Sequence, residues 1–263
     1  MERRSGSTLL EVVVVLAILM ILISLLVPAV MKARSTAICT QSKNNLRQIV
    51  IAAHSFASAN NGALPTNVGN DTVSAGTCFY ASLEPYIGSI DYPNSLVVSP
   101  ADPTVALAAA RGSRTIVSYA VNARAFVDNP RMPGTFVDGT SNTIALAEHY
   151  AKCGNLVFID WPWRINPFGP TRRATFADIG DVVPMTSGNP PMSTSDDKQL
   201  PNLTFQVAPR IDDCMANFAQ TPHSDGMLAA FADGSVHQLS PSIAPHIYWA
   251  LVTPAGGEEV GDW

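Results

Sequence analysis

Charge is scarce in this 263-residue chain. Only 14% of residues are Asp, Glu, Lys or Arg, and 16 bases stand against 21 acids for a net charge of −5. No basic cluster interrupts that balance, which argues against nucleic acid as a partner. The four cysteines, Cys39, Cys78, Cys153 and Cys214, contain no C-x-x-C pair, so neither a zinc ribbon nor a thioredoxin-like centre is supported. G-x-S-x-G, H-E-x-x-H and a glycine-rich phosphate loop are all missing, and Ser, His and Asp fall in no spacing that marks a triad. The chain reads as a non-enzyme. No internal repeat divides it, and its length suits a membrane helix plus one globular domain. Sparse charge also suits a surface partly covered in an assembly.

What the chain does have is a long apolar run at its start. From Leu9 to Val30, Glu11 is the only ionisable residue, and 16 of these 22 residues are Leu, Ile or Val. At ~1.5 Å per residue a helix of this length matches the hydrocarbon core of a bilayer. Sixteen such side chains favour insertion by roughly 5 to 10 kcal/mol, whereas one acid opposes it by ~3 kcal/mol at mid-bilayer and less near a helix end. Insertion wins with Glu11 in place, so the acid needs another reason. A secretory signal peptide has a shorter apolar core and a small-x-small cleavage site, neither of which fits here. A plain anchor explains the length and leaves the carboxylate unexplained. Pro28 lacks an N–H and crowds the carbonyl of Ser24, which predicts a kinked or loosened helix there.

Arg3-Arg4-Ser5-Gly6, followed by Ser7-Thr8-Leu9-Leu10-Glu11 and the apolar run, resembles the class III signal of type IV pilins and type II secretion pseudopilins. The resemblance implies cleavage after Gly6 by a prepilin peptidase and methylation of the new N-terminus at Ser7, where the family usually has Phe or Met. It implies that Glu11 faces the N-terminal amine of a neighbouring subunit, a pairing that lowers each group's cost of leaving water. It also implies that the Ser24 to Pro28 stretch can unwind as subunits stack.

Beyond the span, Leu46, Ile49, Val50, Ala53, Phe56 and Ala57 recur at three and four, the spacing of one helical face. Asn60-Asn61-Gly62 ends that helix, with glycine in the left-handed position past the last turn, and Pro65 keeps it from resuming. The expected organisation is a leader over 1–6, an assembly helix over 7–31, an amphipathic continuation over 32–61, and a β-rich globular domain over 62–263. The fold class is α+β and pilin-like, with the outer half of the helix on an antiparallel sheet.

Lys43-Asn44-Asn45-Leu46-Arg47-Gln48-Ile49 resembles the "C-K-N-N-L-K-Q-I" stretch of a large bacterial branch of pilin-like proteins whose C-terminal signature is H-x9-DG. Ser42 stands where that branch has cysteine. Phe79 to Ile87 resembles its "LLPYLE" segment, and Ser99-Pro100-Ala101-Asp102-Pro103 its "C-P-S-D-P", again with serine for cysteine. If those cysteines pair in relatives, this chain has lost the bridge whole. Tyr119-Ala-Val-Asn122, Val137 to Ile144 and Pro254-Ala255-Gly256-Gly257-Glu258 resemble its "SYAGN", "DGTSNT" and "AGGE" segments.

The even cysteine count in an oxidising space favours two disulfides, with a lean to Cys39 with Cys78 and Cys153 with Cys214. Thr115–Val121 and Ile144–Glu148 read as strands, and Asp138-Gly139 as a turn. No cofactor is indicated. Calcium is the ion that turn could take, but it is short of carboxylates. Residues 160–204, with Trp161-Pro-Trp163, read as a long surface loop able to carry a specific surface. His223 is followed nine residues later by Asp233-Gly234, with short strands on either side forming a hairpin around a two-residue turn. Nothing local demands an imidazole at His223, which is read first as structural and second as a ligand or catalytic group.

The expected function is a structural subunit of a type IV pilus or secretion pseudopilus. Its partners are itself or other pilins, the prepilin peptidase, the assembly machinery and the membrane. The expected location is the bacterial inner membrane, single-pass, with the C-terminal domain outside the cytoplasm. A minor pilin binding a ligand through 160–204 is the competing expectation, and an anchored enzyme using His223 a more distant one.

Overall fold

The computed structural model describes residues 9–66, 78–90, 94–110, 115–127, 129–159, 171–177, 204–258 and 261. The chain forms two compact units, Met1–Gln41 and Ser42–Trp263. Helix α1 spans Leu9–Ala59 and supplies all of the described part of the first unit. It stays helical through Pro28, where the sequence predicts loosening. Ser24 Oγ donates to Ile21 O at 2.7 Å within the same stretch. The large apolar side chains from Leu9 to Met31 are exposed, at 46 to 83% of their full accessibility.

Within the second unit, Leu46, Ile49, Val50, Ala53 and Ala57 of α1 are buried while Arg47 and Gln48 are exposed, as the three-and-four spacing predicts. The helix ends in a turn that differs in detail from the expectation. Asn61 (φ +54°) enters the left-handed region before Gly62 (φ +84°), and Gly62 N–H reaches back to Ala57 O at 2.7 Å. Asparagine tolerates that conformation. Gly62 is then needed for space, since a Cβ there would sit 3.1 Å from Met132 O.

The main sheet has five strands in the order β10-β9-β2-β1-β6. They are β1 (Tyr119–Asn122), β2 (Ile144–Glu148), β6 (Thr175–Phe176), β9 (Met227–Phe231) and β10 (Val236–Leu239). The first four neighbours in that order pair antiparallel, as expected, whereas β6 joins β1 in parallel and makes the sheet mixed. Residues of β1, β2 and β9 are buried throughout, so these strands are covered on both faces and show no polar alternation. Ser42 of α1 meets Tyr119 and Glu148 on one face. On the other, Tyr248, Leu251 and Val252 of the C-terminal helix α4 (Pro245–Val252) pack with Ala120, Ala147 and Ala229. Asn122 ties these layers, donating to both Ile144 O and Val252 O at 2.7 Å.

Two short helices, α2 (Phe79–Ile87) and α3 (Val105–Ala109), precede the sheet. The smaller sheet β3-β4-β5 uses Lys152–Cys153, Leu156–Ile159 and Thr171–Arg173, and β7 (Gln206–Val207) pairs with β8 (Gln220–Thr221). Cys153 is bonded to Cys214, with Cα atoms 5.3 Å apart. The expected second bridge is not formed, because Cys39 and Cys78 carry no disulfide. Apart from 171–177 and Thr204, the 160–204 loop lies outside the described residues.

Candidate functional site

Two places in the chain carry chemistry that ordinary core packing does not require. The first is the start of α1. Glu11 lies in the first described turn and is solvent-exposed, on a helix whose most apolar window has a mean hydropathy of 3.2 and no burial within the chain. Gly6 and Ser7, the expected cleavage point, lie outside the described residues. The span has the length and composition to cross a membrane.

The second place is a buried polar cluster centred on Glu148, at the end of β2. This carboxylate is 1% exposed. Its Oε2 accepts from Thr221 Oγ1 at 2.8 Å and from the Leu228 N–H at 3.1 Å. Its Oε1 accepts from Ser42 Oγ at 3.2 Å and lies 3.3 Å from Nε2 of His223. The imidazole contact is an ion pair by distance rather than an aligned hydrogen bond. Glu148 beside it raises the His223 pKa, against burial, which lowers it. Ser42 Oγ is also 2.9 Å from the Tyr119 hydroxyl and 3.2 Å from Ser99 Oγ, and Asn45 Nδ2 donates to the same tyrosine at 3.3 Å. Burial raises the Tyr119 pKa, so its hydroxyl stays neutral.

His223 is thus held by a carboxylate 75 positions earlier, on the central strand. The cluster as a whole joins α1, β1, β2 and the 221–226 segment at one point. Ser42 and Ser99, the two positions read as serine for cysteine, are brought to hydrogen-bonding distance. Glu148, Thr221 and Tyr119 escape a reading that searches for motifs. The signal available is Glu148 itself, a lone carboxylate ending the apolar strand Ile144–Ala147, where a buried charge demands partners.

Asp233 and Gly234 form the hairpin between β9 and β10, with one correction to the expected turn. Phe231 N–H bonds Ser235 O at 2.8 Å and Gly234 N–H bonds Phe231 O at 3.0 Å, leaving a three-residue loop, Ala232 to Gly234. Gly234, at φ +90°, takes the left-handed position of that loop. Asp233 Oδ1 accepts from Ser235 N–H, and Asp233 N–H donates to Thr140 O at 3.0 Å. The Asp138 turn therefore meets the β9–β10 hairpin. It also grips the chain's tail, because Asp138 Oδ2 accepts from Gly256 N–H at 2.7 Å and Oδ1 from Gly257 N–H at 3.0 Å. Those bonds give the Asp138 carboxylate a task without an ion. Among the described residues no group of three or more His, Cys, Asp or Glu side chains could hold a metal.

A second buried carboxylate, Asp102, accepts from Thr104 N–H and Oγ1, Ser118 Oγ and Ala151 N–H, all at 2.7 to 2.8 Å. Burial raises its pKa against those four donors. It ties the 99–104 turn to the sheet.

Comparison with known families matches residues 1–27 to the prokaryotic N-terminal methylation motif. No curated protein and no solved structure matches the chain. The motif gives the chain a type IV pilin-like N-terminus, on a helix long and apolar enough to cross a membrane, and the α+β fold is consistent with that of pilins.

Proposed function

We propose that the chain is a structural subunit of a type IV pilus or type II secretion pseudopilus. A prepilin peptidase cuts after Gly6, Ser7 becomes the methylated N-terminus, and the C-terminal domain lies outside the cytoplasm. Subunits then leave the membrane by burying the apolar part of α1 among the same helices of their neighbours. The observation that carries this reading is the exposed apolar helix from Leu9 to Met31 with Glu11 as its only ionisable group, under a methylation motif. A helix apolar all round is stable in lipid or in the dry core of an assembly. Glu11 then offsets the Ser7 amine of a neighbouring subunit and sets the stagger between copies.

The test is Glu11→Ala in the full chain. Insertion and cleavage should persist, since removing the acid only makes the span more apolar, while filament yield should fall at least roughly ten-fold through loss of a desolvated charge pair. Filaments at wild-type yield from this variant contradict the mechanism.

A further inference from the structure

From residue 12 to residue 70 the sequence has no carboxylate, yet it carries Lys32, Arg34, Lys43 and Arg47, all on α1. Residues 60–263 have the opposite bias, with 10 bases against 19 acids. Lys32, Arg34 and Arg47 are exposed and Lys43 is half-buried, and among the described residues none of the four is in an ion pair. Lys43 and Arg47 lie four apart, so they share one face of the helix.

These cations run against the ordinary orientation signal. The flank richer in Lys and Arg tends to stay in the cytoplasm. Four cations follow the apolar span within about 16 residues, whereas Arg3 and Arg4 alone precede it. In the orientation proposed above, the cations therefore oppose export of the domain, which implies a use for them outside the membrane.

We propose that this cationic stretch of α1 docks on the acidic globular domain of a neighbouring copy. The inference rests on the reading of the chain as a filament subunit. A second copy is the favoured occupant because every copy brings both halves of the pair at equal stoichiometry. Anionic lipid is disfavoured, since the domain that follows the stretch has nearly twice as many acids as bases and is repelled by such a surface. Exposed carboxylates on the described part of the domain include Glu84, Asp212, Asp213, Asp225, Asp233 and Glu258. Contacts of this kind steer encounter and set register more than they add affinity, and they are screened by salt.

The experiment compares the full chain with a Lys32→Gln, Arg34→Gln, Arg47→Gln variant, leaving half-buried Lys43 in place. Filament yield is measured by shearing at low and high ionic strength, and membrane binding with vesicles of zwitterionic or anionic phospholipid. The expected result is a wild-type yield that falls with salt, and a variant yield lower by roughly five- to ten-fold at low salt and insensitive to salt. Equal yields from the two chains at both salts overturn the inference. So does a variant with normal filaments and weakened binding to anionic vesicles, which assigns the cations to lipid. If the wild-type chain makes no filament under any condition, the subunit reading falls and this inference falls with it.

Discussion

Nε2 of His223 lies 3.3 Å from Oε1 of Glu148, and the carboxylate is 1% exposed while the imidazole keeps 13%. Charged groups facing the imidazole are Glu148 on β2 and Asp225 in its own loop, which raise its pKa, and Lys43 on α1, which lowers it. The folded-state pKa is raised above the ordinary 6.5. A histidine shifted in this sense binds its proton more tightly when folded, so its contribution to stability is fully present below pH 6.5 and is lost as pH rises through the folded value.

Thermal unfolding of the full chain in detergent should accordingly show a component of stability that declines from about pH 6.5 upward. His223→Gln should remove that component, and an NMR titration of the imidazole should give a midpoint above 6.5. A midpoint below 6.5 contradicts the pairing. Glu148→Ala, which strips three hydrogen-bond donors and the imidazole of their partner, should cost about 3 to 5 kcal/mol.

Gly226 is held at φ +134°, and a Cβ there would lie 2.1 Å from the backbone oxygen of Leu239. Gly226→Ala should therefore force β10 away from the 221–226 loop and destabilise by more than about 3 kcal/mol, beyond the conformational term alone. Gly234, at φ +90° with open space where its Cβ would go, is the control. Gly234→Ala should cost only about 1 kcal/mol. Chemical denaturation of the two variants checks the order, and the reverse order refutes the packing described around His223.

Ser42 Oγ and Ser99 Oγ are 3.2 Å apart across 57 positions of sequence. A Ser42→Cys, Ser99→Cys double variant should oxidise without added catalyst, detectable as a loss of two thiols by mass. Closing a loop of that length should stabilise the domain by about 2 to 4 kcal/mol, less what is lost from the serine hydrogen bonds. Two persistent thiols under air oxidation show that the side chains do not face each other as described.

Much of the fold was legible because it follows from spacing. The buried face of α1 from Leu46 to Ala57 stands where periodicity puts it, and the strand Ile144–Glu148 follows the Asp138-Gly139 turn as expected, whereas the strand read over 115–121 begins only at Tyr119 and runs to Asn122. Parallel pairing of β6 with β1 was not legible, since two residues, Thr175 and Phe176, make too short a strand to leave a pattern. Cysteine pairing was half legible: an even count says how many bridges are allowed, and Cys153 bonds Cys214 while Cys39 and Cys78 carry no disulfide. The His223 site was visible only by its histidine. Its partner Glu148 comes from 75 positions away, and no local rule links an imidazole on one loop to a carboxylate on a central strand.

Cleavage at Gly6–Ser7 is read by intact mass with N-terminal peptide mapping of the protein from sheared surface material and from inner membrane. The expected result is a chain beginning at methylated Ser7 in the sheared fraction. A chain that keeps Met1 and remains in the membrane contradicts it, and makes the apolar helix an anchor alone.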